Sequence, residues 1–386
     1  MKTSQIVAGA ETGGSRAPGT DLVPEHLRAD DREQDWIVGH LHFSGNPNPM
    51  LYRFVGPFLR SLRAEGSIDA YFFIRYWTEG QHVRVRMRPS RSSDPEKIRA
   101  RFASGAQSFF RDRPFLLPAM QLEDPQAVKQ TFLAEYPESA WDELYGRDGT
   151  MPLRDPNQLL WSRYSPEFGR YGGVHGLDLS EAHFESSSDL VFTLLETSNL
   201  HIRSITLGAA AQIMAAMTVA MLGSLEESVA YLEGYERRWR TGWGGLYAPR
   251  AASFDAAYTS QAERIVPRVR SVVENTRRAI VDPDRPSRSY LDSWARQCHS
   301  TRREIDRMAA AGRLAFPRGR DAETWDFQPD AGVATRGLAF SYIHMMNNRL
   351  GVPIVDEIYL SYLLRRALED SGLLEGRETA RGVERE

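Results

Sequence analysis

An α+β fold is predicted for this 386-residue chain by three observations. Period-two alternation is concentrated before residue 165, and helical periodicity dominates after Leu179. A sheet-bearing N-terminal portion followed by a helical C-terminal portion is the organisation of an α+β chain. Alternation is clearest in Tyr71–Trp77 and His82–Arg88, which flank the Gly-containing Thr78-Glu79-Gly80-Gln81 and read as a β-hairpin.

Taken in order, residues 1–34 are polar, aperiodic and rich in Gly, Ser and Pro, and are expected to form a disordered tail. Trp36–Phe43 alternates as a strand. A helix is expected from Asn48, with Pro49 at its first position, to about Ala64, kinked by Gly56-Pro57. After the hairpin, Asp94 as N-cap and Pro95 behind it open a second helix running to Phe110. The order β-α-β-β-α is that of a ferredoxin-like half. Pro114–Gly149, with several prolines, reads as irregular, and Leu159–Tyr164 as a further strand.

Helices are then expected at Ser180–Leu200, Ile202–Leu222, Leu225–Arg240, Phe254–Arg278, Ser289–Ala311, Val333–Arg349 and Ile354–Leu368. Gly351 suits the stop of the sixth. The organisation expected is one domain over 35–374, with a sheet portion at 35–178 and a helical portion at 179–374. The charged segment 375–386 is expected to be a second disordered tail.

Bulk properties narrow the class of function. A net charge of −3 gives no global signature of nucleic-acid binding, so any anion recognition must be local. The single cysteine, Cys298, excludes an internal disulfide and a Cys-based zinc site. No apolar signal region follows Met1-Lys-Thr, and a cytoplasmic location is expected. Ser204–Leu225 carries no charge and is long enough to span a bilayer. Its Ala-rich composition, with Thr206, Gly208, Gln212, Thr218 and Gly223, fits a buried core helix better, and no membrane contact is expected.

Three runs could carry chemistry. Residues two apart in a strand share a face, so His82, Arg84, Arg86 and Arg88 line one side of the hairpin. Guanidiniums presented together suit carboxylate or phosphate recognition, and equally the solvated face of an antiparallel sheet. In Tyr164–Gly173, Glu167 and Arg170 are three apart, either a local ion pair or part of a site, with Gly172-Gly173 permitting a sharp turn. In Ser341–Gly351, His344, Asn347 and Asn348 share a helix face with Phe340. His40 and His42 share a strand face but lack a third candidate ligand, so no metal site is expected. No nucleotide-binding, metalloprotease or nucleophile-elbow signature is present.

Together the runs Phe-Phe-Ile-Arg-Tyr…His-x-Arg-x-Arg, Glu-x-x-Arg-Tyr-Gly-Gly and His-Met-x-x-Asn-Arg-Leu-Gly resemble the lantibiotic dehydratase C-terminal domain. That family is also called the thiopeptide-type bacteriocin biosynthesis domain, and the resemblance extends from about Trp36 to Leu368. It implies action on a ribosomally made precursor peptide, by elimination of glutamate from glutamylated Ser or Thr. The implied catalytic set is Arg84, Arg86, Glu167, Arg170 and His344, with Tyr76, His82, Asn348 and Arg349 binding substrate. β-Elimination needs a base for the α-proton and a receptor for the departing carboxylate, and these residue types can supply both.

The resemblance leaves two alternatives. One is a pyridine synthase that joins two dehydroalanines in a formal [4+2] cycloaddition with release of the leader. Ser287, Ser289 and Tyr290 are donors for that reaction or simply helix-capping residues. The other is a non-catalytic module binding the leader along a sheet edge. The implied partners are the precursor peptide and a separate glutamyl-tRNA-dependent glutamylation enzyme, with a homodimer possible and no direct contact to nucleic acid. No metal or organic cofactor is implied.

Overall fold

The computed structural model describes residues 35–374 except 44, 114–123, 137, 319–323 and 328. Both expected tails, and the first part of the segment expected to be irregular, lie outside the described residues. The chain divides into two compact units, Met1–Ile202 with Met308–Pro329, and Arg203–Arg307 with Asp330–Glu386.

The first unit is built on β1 (Ile37–His42), β2 (Ile68–Tyr76), β3 (His82–Pro89) and β4 (Gln158–Ser162). These strands form one sheet in the order β2-β3-β1-β4, with every neighbouring pair antiparallel. The predicted hairpin forms, and Glu79 and Gly80 take φ of 58° and 104° in its turn, the left-handed backbone that glycine adopts without penalty. β1 pairs His40 with Arg84 and His42 with His82, while β2 places Ile74 opposite Arg84 and Tyr76 opposite His82. One face of the sheet therefore carries His40, His42, Tyr76, His82, Arg84 and Arg86.

The opposite face, with Leu41, Val85 and Met87 fully buried, packs under helices. α1 (Asn48–Met50) passes through a π-turn at Leu51–Val55 into α2 (Gly56–Ala64), and α3 (Pro95–Asp112) lies beside them. Phe102 of α3 meets Phe54 and Phe58 at ring distances of 5.4 Å each, and Trp161 of β4 at 6.0 Å. The kink expected at Gly56-Pro57 is taken up by the π-turn. Gly56 N–H bonds back to Leu51 O, five residues away, and dihedrals stay helical on both sides. Widening the turn moves the carbonyl that the Pro57 ring would strike, so the axis need not break. Asp94 caps α3 as predicted, accepting from Glu96 N–H at 3.0 Å.

The segment expected to be irregular contains α4 (Pro125–Glu135) and α5 (Glu138–Tyr145). Asp124-Pro125 repeats the Asp94-Pro95 start, with Asp124 accepting from Gln126 N–H at 2.8 Å. Pro125, one of the prolines that read as breakers, is thus a helix opener. Val128, Phe132, Trp141 and Met151 form a small core of their own, against which Trp77, Tyr136 and Tyr145 pack. α6 (Phe168–Tyr171) ends at Gly172, whose φ of +81° turns the chain into α7 (Gly173–Thr197). α7 packs along β2, the edge strand, through Phe72–Phe184 and Phe73–Phe192 ring contacts of 5.5 and 5.0 Å. A short hairpin of β5 (Phe316–Arg318) and β6 (Thr324–Asp326), not expected from the sequence, completes this unit.

The second unit is helical: α8 (Arg203–Leu222), α9 (Leu225–Thr259), α10 (Ala262–Val281), α11 (Tyr290–Ala310) up to Arg307, α12 (Ala331–Leu350) and α13 (Ile354–Glu369). α8 holds most of the uncharged segment noted above, behind Arg203. Among the described residues it is the one helix long and apolar enough to cross a membrane, and most of it is buried. α9 continues past its predicted end at Arg240, with a break in helical geometry at Trp243. The predicted helix Phe254–Arg278 is accordingly split, because Gln261 (φ −124°) separates α9 from α10.

Candidate functional site

Two polar groupings emerge, one in each unit. In the first, antiparallel pairing gathers three imidazoles beside the arginines of β3. The rings of His40 and His42 stack on His82 at 5.0 and 4.6 Å. His82 Nδ1–H donates to Gly80 O at 2.8 Å, and its Nε2 accepts from Arg84 Nε at 3.0 Å. That pair of bonds fits only the neutral ring protonated on Nδ1. Burial first, then Arg84, holds the pKa of His82 well below the ordinary value, and the same two causes depress His40. His42 is pushed down to about 4 by burial, then by Arg154 and Arg84. At neutral pH the three rings are uncharged, and positive charge on this face comes from guanidinium alone.

Arg84 lies 3.4 Å over the Tyr76 ring and is partly buried. Burial lowers its pKa, while the Tyr76 and Tyr136 phenols act the other way. Arg86 sits between Phe72 and Tyr164, at 5.0 and 4.9 Å from their ring centres. Its Nε is buried with no hydrogen-bond partner among the described residues. No carboxylate among the described residues forms an ion pair with Arg84 or Arg86.

The Glu-x-x-Arg turn reaches the same neighbourhood through Tyr136. Its hydroxyl hydrogen-bonds that of Tyr76, and it also helps hold Arg170 charged. Arg170 bonds Glu167 Oε1 at 3.3 Å. Its pKa is raised by Tyr171 first and by Glu167 after burial has worked against it. Both side chains stay substantially exposed, at 39% and 44%. Gly172 sets this turn, since a Cβ there would lie 2.8 Å from the Phe316 ring and φ is positive.

In the second unit His344, on α12, is mostly buried, and its Nδ1 lies 3.2 Å from Glu357 Oε2 at the start of α13. Glu357 is fully buried, and its other oxygen accepts from the Tyr235 hydroxyl of α9. Trp239 covers the imidazole at a ring distance of 4.9 Å, and Phe340 stacks on Trp239 at 5.3 Å. Arg349 is wholly buried, with Nη1 donating to Met345 O at 3.0 Å, and Asn348 is partly exposed on the same helix. Ser287 is exposed at the α10–α11 turn, accepting from Arg296 Nη1 at 2.8 Å and bonded to Ser293 at 2.9 Å. Tyr290 opens α11, and burial raises its pKa.

The sequence reading missed Tyr136, Glu357 and Tyr235. Tyr136 lay in a segment set aside as irregular. Tyr231, Tyr235 and Trp239 recur every four residues in the predicted helix Leu225–Arg240, a stripe the sequence reading did not single out.

Comparison with known proteins gives the family and the fold. Residues 36–368 match the family described as Lantibiotic biosynthesis dehydratase C-term, and the chain belongs to that family. No curated protein matches it. Among solved structures, the pyridine synthase TbtD from thiomuracin biosynthesis superimposes with a TM-score of 0.63 at 17% identity, covering 87% of this chain and 98% of that one. TsrL superimposes at 0.56, also at 17% identity, over 87% of this chain and 95% of that one. The tRNA-dependent lantibiotic dehydratase MibB from Microbispora sp. 107891 gives 0.42 at 18% identity, over 88% of this chain and 28% of that one. The first two overlays show a shared fold.

Proposed function

We propose that this chain eliminates glutamate from glutamylated Ser or Thr in a ribosomal precursor peptide, leaving a dehydroamino acid. The observation carrying this reading is the pair Arg84 and Arg86, partly buried cations with no carboxylate partner among the described residues. A desolvated guanidinium is costly unless an anion satisfies it. The glutamyl group brings one carboxylate and releases a second, and bidentate arginine pairing suits both. Arg170, oriented by Glu167, is a third cation near Tyr136.

The α-proton is assigned to His344, on the strength of its own surroundings in the second unit. As the Cα–H bond breaks, its electrons form the Cα=Cβ bond and the Cβ–O bond releases glutamate as a carboxylate. A separate glutamylation enzyme supplies the ester under this reading. The strand order, with helices between β1 and β2 and again between β3 and β4, supports a ferredoxin-like description of the first unit. The outer side of β4 is the place for a leader strand, since α7 occupies the β2 edge.

The test is a synthetic peptide bearing O-glutamylserine. Release of free glutamate with formation of dehydroalanine supports the proposal, and an intact ester overturns it. A second reading, cycloaddition by a pyridine synthase, is favoured by the overlay on TbtD along nearly its whole length. It predicts that a peptide carrying two dehydroalanines yields a macrocycle and released leader, with the glutamyl ester untouched.

A further inference from the structure

We propose that Glu357 is the positioning residue for His344, fixing its tautomer and supplying a negative charge beside the ring as it takes a proton, with Tyr235 locking the carboxylate. This rests on the reading that His344 moves the α-proton. The starting point is the carboxylate. Glu357 is fully buried, and no Lys or Arg pairs with it among the described residues. Its sequence neighbour Asp356 is held by Arg203, with Nε at 3.2 Å, so adjacent acids have different partners. A buried carboxylate without a cation is unfavourable by several kcal/mol in general terms. Three features offset that here: the Tyr235 hydroxyl on one oxygen, the His344 ring on the other, and a place in the first turns of α13, where helix amides favour negative charge.

The geometry then determines what His344 can do. A carboxylate oxygen only accepts, so Nδ1 of His344 must carry the hydrogen. The neutral ring is therefore protonated on Nδ1, and Nε2 keeps the lone pair. Trp239 packs over the ring, and Phe340, one helical turn before His344, packs on both Trp239 and Tyr235, at 5.3 and 4.7 Å. The aromatic wall limits rotation about χ1 and χ2, so the direction of Nε2 is set. When Nε2 receives a proton, the charge forms beside an anion already in place, with no rearrangement of dipoles. A carboxylate with no part in orienting His344 would need no such aim at the imidazole.

The experiment combines kinetics on the O-glutamylserine peptide with 15N NMR of histidine-labelled protein, the His344 resonances being assigned with His344→Gln. Wild type is expected to show the Nδ1–H tautomer at His344. Glu357→Gln, nearly isosteric, is expected to lower kcat on the order of 10²-fold, with KM changed by less than about threefold. Glu357→Asp should recover part of that loss. Tyr235→Phe, which keeps the ring packing, should lower kcat by roughly 10-fold through the freed carboxylate oxygen. An Nε2–H tautomer in the wild type overturns the proposal. So does Glu357→Gln at wild-type kcat while His344→Gln is inactive. If the wild type releases no glutamate, the reaction reading falls, and the tautomer alone then decides the pairing.

Discussion

Acidification should weaken the first unit through His42 in a way that a single substitution isolates. His42 is 3% exposed, its ring stacks on His82, and its Nδ1 is buried with no partner among the described residues. Burial, then Arg154 and Arg84, lower its pKa from 6.5 to about 4. Because the folded value is depressed, the contribution is complete above about pH 6.5, where neither state binds the proton. It declines as pH falls through the window, since the unfolded chain takes up a proton that the folded one refuses, and levels off below about pH 4. Integrating across the window gives a loss of about 2 kcal/mol between pH 7.5 and 5, and about 3 kcal/mol in total.

His40 and His82 are depressed in the same direction and add to the effect. Glu185 and Asp189, whose pKa values burial raises, oppose it. A difference measurement cancels Glu185 and Asp189, while His40 and His82, which His42 itself influences, cancel only in part. Wild type and His42→Gln would be unfolded in urea at pH 7.5 and 5, with stability read from exchange protection of β1 and β3 peptides. The wild type is expected to lose about 2 kcal/mol more than the variant over that interval. An equal loss in both proteins would show that His42 protonates freely in the folded state, and the reasoning from its buried, unpartnered nitrogen would be wrong.

Three further outcomes follow from named contacts. Arg86→Ala should lower kcat/KM on the glutamylated peptide by roughly 10- to 100-fold, the size of a lost charged hydrogen bond, with the melting temperature held; a collapse in melting temperature would mark Arg86 as structural. Gly172→Ala combines a positive φ with a Cβ at 2.8 Å from Phe316, and should destabilise by about 2 kcal/mol in thermal denaturation. An unchanged melting temperature would remove the turn from the argument. Phe102→Ala empties the fully buried contact between α3, Phe54, Phe58 and Trp161, and should cost about 3–5 kcal/mol by urea unfolding. A cost under about 1 kcal/mol would mean that the aromatic layer closes over the gap.

Much of the first unit was legible because its signals are local. Alternation identified the hairpin and put Arg84 and Arg86 on one face, and Asp94-Pro95 announced α3. The same Asp-Pro signal at Asp124-Pro125 was present but outvoted by the surrounding prolines, which hid α4 and with it Tyr136. β5 and β6, at three residues each, are too short to show any period.

Sequence by itself determined which residue types share a strand or helix face, because side-chain direction repeats every two residues in one and every three to four in the other. It determined the family motifs for a related reason, each being a run within one element or two consecutive ones. Only tertiary structure decided that β1 pairs with β3, which brings His40 and His42 into a stack against His82, and that Glu357 of α13 meets His344 of α12 and Tyr235 of α9. Those meetings depend on long-range pairing and on burial. Burial also fixes what they mean chemically, since the same carboxylate and imidazole in water would be solvated separately and would exert little influence on each other.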